Sequence, residues 1–185
     1  MKLSVRSLVF AALCTALTAA GAFVKIPIPP YPVPMTLQTF FVFMAGMLLS
    51  PKYAFLSQAA YVALGLLGVP VFTSGGGIGY VLNPTFGYLA AFMLAAPLIS
   101  ISVKKLLEKG RKLLFFSAGM LIIIGTGLLG VVYMAVLYAS KGEPLAFSYA
   151  VYIFLIFIPL DAVKFAVCAL ISGKIRNGLG GARNR

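Results

Sequence analysis

Asp161 and Lys164 stand three residues apart in the stretch "FIPLDAVKFAVCALISGK" (157–174), an apolar run whose only other charge is the terminal Lys174. Asp161 is the single aspartate of the chain, which has three acidic residues in all. A separation of three places both side chains on one helix face. An isolated charge at the centre of a membrane span costs about 2.5–3.5 kcal/mol even on insertion scales, so such residues mark a partner, a cavity or a path. An ion pair would meet the cost, but two apolar side chains would serve a purely structural purpose as well. The pair is therefore expected to face an enclosed polar cavity. Pro159, which leaves the carbonyl of Leu155 without its helical partner, is expected to add to that polarity.

Weaker candidates lie upstream. In "NPTFGY", Asn83 reads as a helix N-cap with Pro84 at the first helical position, and its amide also offers two donors and an acceptor to a ligand. Gln38 is the one amide near the start of its apolar segment. "SGGGIGY" (74–80) looks like a phosphate loop but lacks the G-K-[ST] that would complete it. Gly77 and Gly79 there could let the backbone approach a ligand or turn tightly. Ala12, Ala16 and Ala20 recur every four residues, with Ala11, Thr15 and Ala19 beside them, making a shallow helix face for internal packing or for a partner helix. Cys14 and Cys168 fall in apolar runs and the chain has no histidine, so neither a disulfide framework nor a metal site is expected.

The elements that must hold these residues are membrane helices. Of 185 residues 62% are hydrophobic and 10% charged, and the mean hydropathy is +1.06. A soluble domain is about half apolar and a quarter charged, so lipid must be the solvent for most of these side chains. The composition predicts one all-α integral membrane domain over 1–185, a bundle of six transmembrane helices. The apolar segments run over about 4–24, 35–50, 53–68, 85–103, 113–139 and 147–172. Proline-rich "KIPIPPYPVP" and glycine-rich 69–84 form long connections on one side, where they could cover a ligand. No alternation is long enough for an outer-membrane barrel.

The net charge of +12 follows membrane orientation rather than nucleic-acid binding. With the N-terminus in the cytoplasm, the inner regions carry 12 Lys and Arg and the outer loops only Lys25 and Lys141. Both termini are then cytoplasmic. The first segment has the outline of a cleavable signal peptide, but its repeated small residues favour a retained helix.

Three motifs carry a resemblance. "VPMTLQTFFVFMAGMLLSPK", "GGGIGYVLNPTFGYLAAF" and "IPLDAVKFAVCALISGKI" resemble the BioY family, the biotin-binding S components of ECF-type vitamin transporters. The resemblance spans nearly the whole chain. It implies a multi-pass protein of the bacterial cytoplasmic membrane that binds biotin under its outer loops, with Asn83, Asp161 and Lys164 reading the ureido ring. A ureido group has two N–H donors and one carbonyl acceptor, which an amide, a carboxylate and an ammonium can satisfy. Tyr80 and Tyr88 are candidates to wall the thiophane ring and acyl tail. For the ligand's carboxylate, Lys25 and the outer helix N-termini are candidates. The resemblance also implies that the face with Ala12, Ala16 and Ala20 docks onto a transmembrane coupling subunit driven by two ATPase subunits. This chain has no Walker motif, so ATP belongs to those partners.

Other classes fit less well. A membrane enzyme would need an acid, base and nucleophile set, and the chain offers neither histidine nor G-x-S-x-G. A stand-alone ion- or proton-coupled carrier could use an Asp–Lys relay, but no internal repeat relates the two halves. An S component for another vitamin is the remaining alternative.

Overall fold

A computed structural model describes residues 4–28 and 33–178, most of them in six α-helices. These are α1 (Val5–Phe23), α2 (Gln38–Leu48), α3 (Pro51–Leu66), α4 (Phe86–Ser102), α5 (Lys112–Ser140) and α6 (Phe147–Gly178). Residues 29–32, within the proline-rich connection, and the terminal Lys2, Arg183 and Arg185 lie outside the described residues.

Four helices are long and apolar enough to cross a membrane: α1, α4 with its extension to Leu107, α5, and α6 as far as Arg176. The extension, Val103–Leu107, is π-helical. The other two are shorter, α3 with 16 residues and α2 with 11. Packing explains how a helix as short as α2 survives. It lies against α1, α3, α4 and α6, and every residue from Val42 to Met47 is buried. A helix apolar on all sides belongs in a core. Its crossing with α4 depends on Gly46, where a Cβ would lie 2.7 Å from the Ala96 carbonyl oxygen and 2.8 Å from Ile99. The remaining helices close around it, α6 against α2 and α5, and α3 against α1 and α4.

Two boundaries near the site differ from the sequence expectation, and α6 runs on past the expected 172 to Gly178. The second segment is not helical from residue 35, because Met35–Thr36 (β2) pairs antiparallel with Lys25–Ile26 (β1), Lys25 opposite Thr36. The Leu37 N–H then reaches the Gly21 and Val24 carbonyls, which holds the chain extended until Gln38. The fourth helix starts at Phe86 with Thr85 as N-cap, rather than at Pro84 after Asn83. A 3-10 turn, Ile78–Leu82, occupies the preceding residues and ends on Asn83.

The connection 69–84 is folded onto the end of α3. Phe72 is buried against Tyr61 and Tyr80, with ring centroids at 5.4 and 4.5 Å. Gly77, at φ +104°, donates its N–H to the Gly65 carbonyl at 2.7 Å. Lys25 Nζ donates to the Thr73 carbonyl at 3.0 Å, tying the β1–β2 strap to this connection.

Candidate functional site

α6 carries Asp161 and Lys164 inward, where Lys164 Nζ lies 2.9 Å from Asp161 Oδ1 and Asp161 is 8% exposed. Two other segments complete the arrangement. Thr39, in the first turn of α2, donates its hydroxyl to Asp161 Oδ1 at 2.8 Å and accepts from Lys164 at 2.9 Å. The carbonyl of Thr36, in β2, accepts from Lys164 at 2.8 Å. An ammonium has three N–H groups, and here all three are engaged. The carboxylate is engaged on one side only, for among the described residues nothing donates to Asp161 Oδ2. The result is a charge pair whose desolvation is offset by hydrogen bonds, with one oxygen left to accept from a ligand.

This cluster lines a cavity of about 640 Å³, counted out to its opening. Thr36, Gln38, Thr39, Asp161 and Lys164 form a polar portion, while Leu89, Phe92, Ile123, Phe154, Phe157 and Ile158 supply apolar wall. The cavity thus has the chemistry of a site for a mostly apolar molecule with a hydrogen-bonding head.

Of the residues singled out from sequence, Asp161, Lys164, Gln38 and Tyr88 meet around this cavity. Gln38 is committed to the frame: its Nε2 donates to Tyr61 Oη at 2.6 Å and its Oε1 accepts from Thr36 at 3.0 Å. Tyr80, Gly77, Gly79 and Asn83 are not among the lining residues. Gly77 and Gly79 shape the 3-10 turn. Tyr80 sits in a relay whose direction can be read from its end. Thr85 Oγ1 donates to Asn83 Oδ1 at 2.8 Å, so Tyr80 donates to Thr85 at 2.9 Å and Thr73 to Tyr80 at 2.8 Å. Asn83 Oδ1 also accepts the Thr85 N–H at 3.0 Å, the part of a capping side chain, although the helix itself begins later. The Asn83 amide nitrogen makes no hydrogen bond to the described residues.

Pro159 does not do what the sequence reading assigns to it. α6 runs unbroken through it, and Pro159 and Leu155 are both exposed on the outside of the bundle, away from the cavity. Lys25 does not line the cavity.

Sequence reasoning missed Thr36, Thr39, Thr73, Thr85 and Thr126, all of which line the cavity. A threonine in a membrane helix commonly bonds its own backbone, as Thr126 does to the Ile122 carbonyl at 2.8 Å, so its type alone carries no signal. The first turn of α2, "LQTF", was the available hint, since it places two polar side chains where an apolar run begins.

The two small-residue rows of α1 separate. Thr15 is buried and bonds the Ser57 carbonyl at 2.8 Å on α3, and Ala11 is buried beside it. Ala12, Ala16 and Ala20 are exposed, not covered by the other described residues. Cys14 and Cys168 are both buried free thiols, and Cys168 Sγ donates to the Phe40 carbonyl at 3.2 Å.

Comparison with known proteins gives one consistent result. The family model described as "BioY family" matches residues 1–181. The biotin transporter BioY of Thermotoga maritima is 35% identical over 173 residues, covering 92% of this chain and 96% of that one. The probable biotin transporter BioY of Bacillus subtilis is 37% identical over 174 residues, covering 91% and 89%. That of Lysinibacillus sphaericus is 53% identical over 109 residues, a match that takes in 59% of this chain and 55% of the relative. The fold is similar to the crystal structure of the S-component for biotin from an ECF-type ABC transporter, with TM-score 0.81 and 31% identity over 94% of this chain and 92% of that chain.

Proposed function

The chain belongs to the BioY family, and on that premise we propose that it captures biotin as the substrate-binding subunit of a membrane vitamin transporter. The observation that carries the reading is the cavity of α2, α4, α5 and α6, apolar along its walls and polar where Asp161, Lys164 and Thr39 meet. A ureido N–H would bond Asp161 Oδ2. The ureido carbonyl needs a donor, which Lys164 supplies by exchanging its contact to Thr36 or Thr39; the Asn83 amide nitrogen, outside the lining but next to the lining Thr85, would have to turn inward to be a second. Thiophane ring and tail would lie along Phe92, Phe154 and Phe157.

Six crossings with both termini cytoplasmic fit the helices and the charges. α2 is too short to meet lipid on its own but is encased by protein. Lys104, Lys105, Lys109, Arg111 and Lys112 cluster at one end of the bundle, the cytoplasmic end by the positive-inside rule. The exposed row of Ala12, Ala16 and Ala20 offers a shallow surface for a transmembrane coupling subunit, which two ATPase subunits would drive. ATP would then bind the partners and never this chain.

Equilibrium binding of labelled biotin to the purified protein without ATP tests the reading. Saturable binding displaced by unlabelled biotin, and not by riboflavin or thiamine, is the expected result. Displacement by another vitamin with no response to biotin would overturn it.

A further inference from the structure

Resting on the biotin reading, we propose that the hydroxyl of Tyr88 holds the carboxylate at the end of the ligand's tail. The question is open because a carboxylate in a dry cavity needs a donor, and the lining offers few. Lys164 is the one cation among the described lining residues, and its three N–H groups are engaged. It also sits against Asp161, whose charge repels a second carboxylate. The lining threonines are committed as well: Thr39 donates to Asp161, Thr36 to Gln38, Thr126 to Ile122, and Thr73 and Thr85 within the relay that ends on Asn83.

Tyr88 differs from all of them. It lines the cavity, and its hydroxyl is buried with no hydrogen-bond partner among the described residues. A buried polar atom left in that condition is costly, and native structures rarely keep one without a use. Its place in the fold suits the tail. Tyr88 is the third residue of α4 and packs with Val33, Tyr138 and Leu145 around Met134 and Ile153. Its ring meets that of Phe157, one turn of α6 from Asp161 on the side of the helix start, with centroids at 6.1 Å. A ligand whose head is bonded to Asp161 and whose tail runs toward the start of α6 therefore passes Tyr88. A phenol donating to a carboxylate makes a charge-assisted bond, stronger than a neutral pair.

Tyr88→Phe keeps the ring and deletes the donor. Titrating purified wild type and Tyr88→Phe with biotin, and with an analogue whose tail ends in a methyl group, separates the outcomes. The expected result is a loss of about tenfold in biotin affinity, with the two proteins within twofold of each other for the methyl analogue. Ligand-free Tyr88→Phe should melt at or above wild type, because an unpartnered buried hydroxyl is gone. Equal losses for both ligands would overturn the assignment by placing the hydroxyl on the head, and no loss for either would reduce Tyr88 to apolar wall. Failure of wild type to bind biotin would instead remove the reading on which the inference rests.

Discussion

Thr39 and Asp161, 122 residues apart in sequence, meet across the α2–α6 interface with 2.8 Å between Thr39 Oγ1 and Asp161 Oδ1. The same hydroxyl accepts from Lys164, so one small side chain fixes both members of the charge pair and turns the free carboxylate oxygen away from them. Thr39→Val keeps the shape and removes both bonds. It should weaken biotin binding by about tenfold, the effect of 1–2 hydrogen bonds of ordinary strength, while Thr39→Ser restores most of the affinity. Titration calorimetry on the two variants measures this. A loss for Ser with none for Val would mean that the methyl, not the hydroxyl, matters.

The charge pair itself can be tested by removing one member or both. Asp161→Met strands Lys164 among neutral acceptors and should destabilise by about 3–5 kcal/mol, the usual cost of an orphaned buried charge. Asp161→Met with Lys164→Met removes two desolvated charges and should recover most of that loss in melting temperature. Biotin affinity should stay down at least about tenfold, because ureido groups would enter the cavity unpaired at about 1–3 kcal/mol each. A double variant that melts near wild type and binds biotin normally would make the pair scaffolding.

Bulk on the outer row of α1 should separate capture from transport. Ala12→Trp or Ala16→Trp places an indole on a face that no other described residue covers, so biotin binding by the purified protein should stay within about twofold. Uptake of biotin by cells that carry the partner subunits should fall to background, since helices associate there by close approach. Normal uptake at normal membrane levels would leave these alanines as lipid-facing surface.

Gly130 on α5 sets the position of Tyr88 on α4. A Cβ at Gly130 would lie 2.3–2.4 Å from three atoms of the Tyr88 ring, so Gly130→Ala must push the ring aside. We expect a loss of about 1–3 kcal/mol in stability and weaker biotin binding. Gly125→Ala, five residues earlier on the same helix with nothing within 4 Å of its Cβ, is the control. It should be neutral or stabilising by up to about 1 kcal/mol. Equal melting temperatures for the two variants would contradict the packing described.

The charge pair was legible in sequence because an aspartate and a lysine are conspicuous in an apolar run, whatever the fold does around them. The helical segments were legible for the same reason, hydropathy being a property of each segment alone. What was not legible depended on contacts between segments. Met35–Thr36 looked like the start of a helix, since a two-residue strand has no pattern to show and exists only through its pairing with Lys25–Ile26. Asn83 looked like a helix N-cap with Pro84 as the first helical residue, and the 3-10 turn that shifts that start is held by the Tyr80 relay and by Tyr133, whose hydroxyl donates to the Val81 carbonyl. Thr39 and Gly130 are ordinary residues for a membrane helix and gain their meaning only from what α6 and α4 place against them.

The shortness of α2 has a consequence for the depth of the bilayer. Its 11 residues rise only about 17 Å, against a hydrocarbon layer of about 30 Å. α5 and α6, with 29 and 32 residues, rise about 44 and 48 Å and more than cover that thickness, by tilting or by standing proud of it. Longer helices therefore stand around a short one, and α2 by itself falls roughly 13 Å short of that thickness. Gln38 and Thr39 in the first turn of α2, with Thr36 just before it in β2, line the cavity at that short end.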